Sequence, residues 1–196
     1  MKGFKNANVY AYGKGVVNTS LTVENGKIAS LGTEPAEFYD IPEGAVVVPG
    51  FIDEHIHGSA GSDAMDGTVS ALETIARSIA GEGTVGFLAT TMTQSPENIS
   101  KAMSAVKEYK SEKRSYGAEV LGVHLEGPYI NKSKAGAQPE IYICDPSVEQ
   151  FSKYNALSGN NIKIVTFAPE SDGSKEFVGY LKENGIRANV GHTSAK

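Results

Sequence analysis

VGFLATTMTQSPENISKAMSAVK, residues 85–107, carries two kinds of periodicity in one stretch. Val85 to Ala89 is a continuous apolar run, the pattern of a strand covered on both faces rather than of one half-exposed to water. Ser95-Pro96 then supplies a capping hydroxyl followed by proline at the first helical position. Beyond it Ile99, Ala102, Met103 and Val106 recur at helical spacing. The stretch is a βα unit, and the same alternation extends in both directions. Upstream, Ala45 to Val48 leads into Phe51-Ile52 as a first strand, and Val69, Leu72, Ile75, Ala76 and Ile79 line one face of a helix. Downstream, Val120 to Leu125, Ile162 to Phe167 and Ile186 to Val190 read as three more buried strands. A helix after Asp145-Pro146 turns Val148, Phe151 and Tyr154 inward, and another presents Phe177, Val178 and Leu181 before ending at Asn184-Gly185. Alternating strands and helices imply a parallel α/β architecture.

Five strands and four helices are a little over half of a (β/α)8 barrel, which takes about 250 residues for eight pairs. The fifth strand is followed by Gly191-His192-Thr193-Ser194-Ala195-Lys196 with no helix to cover it. The expectation is therefore an incomplete (β/α)8 TIM-type barrel over residues 45–196; a five-stranded doubly wound sheet is the alternative. Residues 1–44 read differently. Phe4 to Tyr10, Ser20 to Glu24 and Lys27 to Leu31 are short strands, and Asn25-Gly26 between the last two is a strong hairpin signal, because a type I′ turn needs positive φ at both central residues. Pro35, Pro42 and Gly44 read as linker. A small β-sandwich piece is expected to precede the barrel.

Composition narrows the function classes. The chain has 196 residues, 40% of them hydrophobic, and 23 acidic against 18 basic residues give a net charge of −5. No dense Lys/Arg run is present to neutralise a phosphate backbone, so nucleic acid is not an expected partner. The N-terminus lacks the apolar core of a signal peptide, and no stretch approaches about 18 consecutive apolar residues, so neither export nor a membrane is expected. A single cysteine, Cys144, cannot form an intrachain disulfide, which fits a reducing, cytoplasmic setting.

Three of the four histidines lie at or just beyond strand ends. In PGFIDEHIHG, residues 49–58, His55 and His57 are two apart, a spacing that puts both imidazoles on one face of extended chain within reach of one cation. Asp53 shares that face and is read as a turn cap or a minor candidate for catalysis. In HLEGP, residues 124–128, His124 and Glu126 share a face, and a carboxylate there neutralises a divalent ion while leaving a coordination position for water. The fifth strand brings His192 to the same level. In a closed barrel the ends of strands one, three and five converge, so His55, His57, Glu126 and His192 are candidate metal ligands. An ion so held acidifies water and polarises a carbonyl, which suits amide hydrolysis. No convincing general base accompanies it.

Taken in order, VENGKI (residues 23–28), PGFIDEHIHG, HLEGPYI (residues 124–130) and NVGHT (residues 189–193) resemble the N-acetylglucosamine-6-phosphate deacetylase family of the amidohydrolase superfamily, across essentially the whole chain. PGFID with His-x-His identifies only the superfamily; HLEGP followed by Ala135-Gly136-Ala137-Gln138-Pro139 is the more specific part. The resemblance implies that Glu126 and His192 hold a principal metal, and that His55 and His57 match a pair that holds a second one in some members. It implies that the loop with Ala137 and Gln138 contacts the N-acetyl sugar. One or two divalent ions are expected, and N and O donors admit zinc, iron, manganese or cobalt. The implied reaction releases acetate from N-acetylglucosamine 6-phosphate in a full-length parent expected to be a homodimer. A further metal-binding histidine and a catalytic aspartate are expected on strands beyond Lys196. No catalytic residue is therefore placed within the chain, which is expected to be inactive alone and to need its missing half or self-association. The alternatives are another amidohydrolase acting on a cyclic or linear amide, and a non-catalytic metal-binding fragment. One of the dihydroorotase kind would carry a carbamylated lysine where Ala168-Pro169-Glu170 stands.

Overall fold

The computed structural model describes residues 1–112 and 116–196. The chain divides into two compact units, Met1–Gly50 and Phe51–Lys196.

The first unit holds β1 (Lys2–Ala11), β2 (Gly15–Glu24), β3 (Lys27–Leu31), β4 (Glu37–Phe38) and β5 (Val46–Val47). β1 and β2 run antiparallel, β2 and β3 form the expected hairpin, and Asn25 and Gly26 both have positive φ, at 52° and 73°. Ala7, Val9 and Leu21 make its small buried cluster. The five strands form one sheet, β3-β2-β1-β4 with β5 also on β1. One expectation is corrected here. Val46-Val47, expected to begin the barrel's first strand, pairs in parallel with Asn8 and Val9 of β1 instead. Pro49-Gly50 separates that pairing from the strand that follows, where the two compact units divide.

The second unit alternates as expected. In order it contains β6 (Phe51–Ile56), a short ribbon of β7 (Gly58–Ser59) and β8 (Ser62–Asp63), α1 (Val69–Ala80), β9 (Thr84–Thr90), α2 (Pro96–Ser111), β10 (Glu119–Glu126), α3 (Val148–Leu157), β11 (Ile162–Phe167), α4 (Ser174–Glu183) and β12 (Arg187–Val190). The five long strands pair in parallel in the order β12-β11-β10-β9-β6, a curled half-barrel with four helices. β9, β10 and β11 are buried along nearly their whole length, as continuous apolar runs require. At the two edges Phe51, Ile52 and Val190 are exposed, so the expectation of burial over Ile186 to Val190 holds only for Ile186.

Helix packing follows the sequence closely. Leu72, Ile75, Ala76 and Ile79 of α1 and Ile99, Ala102, Met103 and Val106 of α2 are buried. On α4, Phe177 and Leu181 are buried but Val178 is partly exposed, since it lies about 100° round the helix from Phe177 whereas Leu181 lies one turn on. The Phe177 ring centres the outer core, with centroids 5.1 Å from Tyr129, 5.4 Å from Phe151 and 5.6 Å from Phe167. Ser95 caps α2, its Oγ accepting from the Asn98 amide at 3.3 Å. Ser95→Ala is expected to cost about 1 kcal/mol, read as a lowered denaturant midpoint with unchanged slope. Among the described residues no helix is long and apolar enough to cross a membrane.

Candidate metal centre

Parallel strands bring their C-terminal ends to one side of the sheet, and the polar residues of interest collect there. His55 sits near the end of β6, with His57 just past it; Glu126 closes β10; His192 follows β12 after Gly191. The structure draws all four together. Glu126 is only 5% exposed, and its carboxylate is the common target of the three imidazoles. Oε2 lies 3.0 Å from His57 Nε2 and 3.5 Å from His55 Nε2, and Oε1 lies 3.0 Å from His192 Nε2. His55, His57 and Glu126 offer ligand atoms close enough together for one ion.

The backbone decides which nitrogens are free. His57 Nδ1 faces the Thr90 carbonyl at 3.2 Å and His192 Nδ1 faces the Lys134 carbonyl at 2.8 Å. A carbonyl can only accept, so both Nδ1 atoms carry the proton, and in the neutral ring Nε2 presents a lone pair. Two lone pairs then point at a carboxylate that is itself acceptor-only. That contact is favourable when a proton or a cation lies between the groups. The donor set of imidazole nitrogen and carboxylate oxygen, with each ring oriented by a carbonyl behind it, fits a divalent metal. Among the protein's own groups, a shared proton makes the contact favourable. The hydrogen bond to Glu126 raises the His57 pKa against the opposing effect of burial. Burial pushes Glu126 upward, but the His57 hydrogen bond and the neighbouring imidazole charges outweigh it and leave the carboxyl below its ordinary value.

Several features around this cluster were not visible in the sequence. Gln138, expected to approach substrate through the backbone of its loop, is buried with its side chain in the site. Its Oε1 accepts from the Thr93 amide at 2.8 Å, which leaves the amide nitrogen facing His192 Nε2 at 3.4 Å. Ala137 beside it is exposed. Glu170, three residues past the end of β11 where the dihydroorotase alternative would carry a carbamylated lysine, instead ties down the loop that carries His192. It accepts from the Thr193 hydroxyl, from the Ser194 amide at 2.6 Å and from Asn131 Nδ2 at 2.8 Å. The first two of these bonds hold its carboxyl down at about 2. His192 has φ of 48°, a left-handed conformation uncommon outside glycine, and such strain collects at functional positions. Asp53 serves as a turn cap, its Oδ1 accepting from the His55 amide at 2.9 Å. Cys144 is an exposed free thiol whose pKa is raised, first by partial burial and then by Asp145.

No family model matches the chain. It is 43% identical over 187 residues to the N-acetylglucosamine-6-phosphate deacetylase of Bacillus subtilis, a match covering 92% of this chain and 47% of that protein. Among solved structures it superposes on the deacetylase of that name from Thermotoga maritima with a TM-score of 0.83 and 32% identity, over 98% of this chain and 49% of the other. The D267A mutant of the Mycobacterium smegmatis enzyme, in complex with N-acetyl-D-glucosamine-6-phosphate, matches with a TM-score of 0.85 and 25% identity over 100% of this chain and 51% of that one. The chain spans about half the length of the curated relatives it matches. On sequence and fold together, this chain resembles about half the length of the N-acetylglucosamine-6-phosphate deacetylases that it matches.

Proposed function

We propose that this chain forms the metal-holding part of a deacetylase that hydrolyses the acetamide of N-acetylglucosamine 6-phosphate to glucosamine 6-phosphate and acetate. The observation that carries the reading is the convergence of three imidazoles on one buried carboxylate, with two of the rings oriented by backbone carbonyls so that Nε2 lone pairs face it. Glu126 and His192 would hold the principal ion, and His55 and His57 a second. When bound, a divalent ion such as zinc or iron supplies polarisation of the acetyl carbonyl and acidification of water.

The chain's own residues do the positioning. Lys134 and Thr90, through their carbonyls, fix the ring orientations of His192 and His57. Glu170 holds the His192 loop. Gln138, clamped by the Thr93 amide, holds its buried amide nitrogen beside His192, from where it can donate to the acetyl oxygen of the sugar. Asp53 is engaged as a cap, so the proton transfer to the leaving amine is assigned to an aspartate outside these 196 residues, as the family resemblance implies. The reading accordingly makes the 196 residues inactive alone and places the working enzyme in the cytoplasm as a homodimer.

Acetate release tests this. A protein extending this sequence to the relatives' length is expected to deacetylate N-acetylglucosamine 6-phosphate with added zinc or iron and to stop on chelation, while the 196 residues alone release none. An extended, folded, metal-loaded protein that leaves the sugar intact contradicts the reading.

A further inference from the structure

His124 lies two residues before Glu126 on β10 and is 1% exposed, yet both of its ring nitrogens are committed away from the carboxylate. Nδ1 donates to the Glu54 carbonyl of β6 at 2.8 Å, and Nε2 meets the Thr166 hydroxyl of β11 at 2.7 Å. Since the carbonyl takes the Nδ1 proton, the neutral ring accepts at Nε2 and Thr166 donates. The result is a buried hydrogen-bonded bar across three strands.

Each end of the bar touches the chain beside a candidate ligand. Glu54 immediately precedes His55, whose ring also meets His124 edge-on at 4.7 Å between centroids. Thr166 is in register with Glu126, and its carbonyl accepts from the Gly127 amide at 3.1 Å. The Thr166 methyl occupies the space below Gly191, only 2.5 Å from where a Cβ on that residue would stand, and Gly191 immediately precedes His192. A hydrophobic pair could fill the same volume, but it would not fix distances as two directional hydrogen bonds do. We propose that His124 and Thr166 are a positioning pair that sets the spacing between the His55–His57 arm and the Glu126–His192 arm of the metal centre. The inference rests on the metal reading above and adds to it two residues that touch neither ion nor substrate.

The test is a Co²⁺ titration of the 196-residue chain followed by visible d–d absorption, with thermal midpoints of the metal-free samples measured alongside. Thr166→Val keeps the shape of the side chain and removes its hydroxyl. It is expected to weaken Co²⁺ binding roughly 10–100-fold and to change the band, as loss of an outer hydrogen-bond partner of a metal site does. Thr166→Ser, which restores the hydroxyl, is expected to recover affinity and spectrum. Should Thr166→Val fail to fold, His124→Asn, which retains a donor toward Glu54 but not the bond to Thr166, is expected to show the same weakening. Wild-type affinity and spectrum in the folded variant overturn the proposal, whatever happens to its thermal midpoint, because a purely structural role moves the midpoint alone. A wild-type chain that binds no Co²⁺ is a different failure, and it removes the metal reading itself.

Discussion

Glu126→Ala is expected to abolish stable metal binding by the chain, with the bound-ion content after dialysis falling to the background of a metal-free control. Among the described residues the carboxylate is the group that all three imidazoles share, with Oε2 facing His55 and His57 and Oε1 facing His192. Removing one imidazole leaves the other two aimed at a carboxylate; removing the carboxylate leaves three neutral donors and no charge to balance a dication. Deleting a group that merely orients a ligand typically costs 10–100-fold in affinity, so deleting this one is expected to cost at least on the order of 100-fold. His192→Ala is expected to fall between the wild type and Glu126→Ala. Elemental analysis of dialysed protein reads both, and unchanged content in both variants refutes the assignment. The apo protein should respond in the opposite sense to what a simple deletion suggests. Removing Glu126 also removes the partner that raises the His57 pKa, so that ring is expected to titrate at lower pH in Glu126→Ala, observable by NMR.

Gly127→Ala is expected to damage the fold far out of proportion to its small change in mass. Gly127 has φ of 67°, and a Cβ built there would stand 2.1 Å from Thr93 Oγ1 and 3.1 Å from Gln138 Oε1. A left-handed conformation costs an L-residue about 1–2 kcal/mol, and forcing a methyl into a filled site typically adds about 1–3 kcal/mol. The expected destabilisation is therefore about 2–5 kcal/mol, with a fall in Tm of roughly 4–20 °C for a chain of this size. The clash also falls on the two residues that hold each other beside His192, since Gln138 Oε1 accepts from the Thr93 amide. Gly179 supplies the control. It lies inside α4 with nothing within 4 Å of its added Cβ and no unusual φ, so Gly179→Ala is expected to leave stability unchanged or raise it by up to about 1 kcal/mol. Equal denaturant midpoints for the two variants would contradict this account of Gly127.

The pattern of what could be read in advance follows the range of the forces concerned. Asn25-Gly26 and Ser95-Pro96 act within a few residues, so the type I′ turn and the helix start at Pro96 were legible from the chain alone. His55-x-His57 and His124-x-Glu126 were legible as pairs on one face because strand alternation is local. Their convergence needed the added rule that parallel strands end on the same side. Val46-Val47 marks where that reasoning stops: a short β-branched run suits either sheet, and its pairing with Asn8 and Val9 is decided by tertiary contact. The same holds for the side chains that tune the site. Gln138 reaches Thr93, Glu170 reaches Thr193, and His124 reaches Thr166, each across more than twenty residues of sequence with no periodic pattern to announce it. Strand alternation puts His124 on the face of Glu126 but names no partner for it. Only its two hydrogen bonds show it as a brace between strands.

The central claim is that Glu126 and His192 hold a divalent ion at the strand ends. Anomalous diffraction from crystals of the zinc-loaded chain, collected on either side of the zinc absorption edge, tests it most directly. The account predicts a single strong peak or a close pair, with one ion at roughly 2.0–2.2 Å from both the Glu126 carboxylate and His192 Nε2. Zinc found only at other residues, or no peak at the Glu126 carboxylate in crystals of chain that has retained zinc, contradicts it.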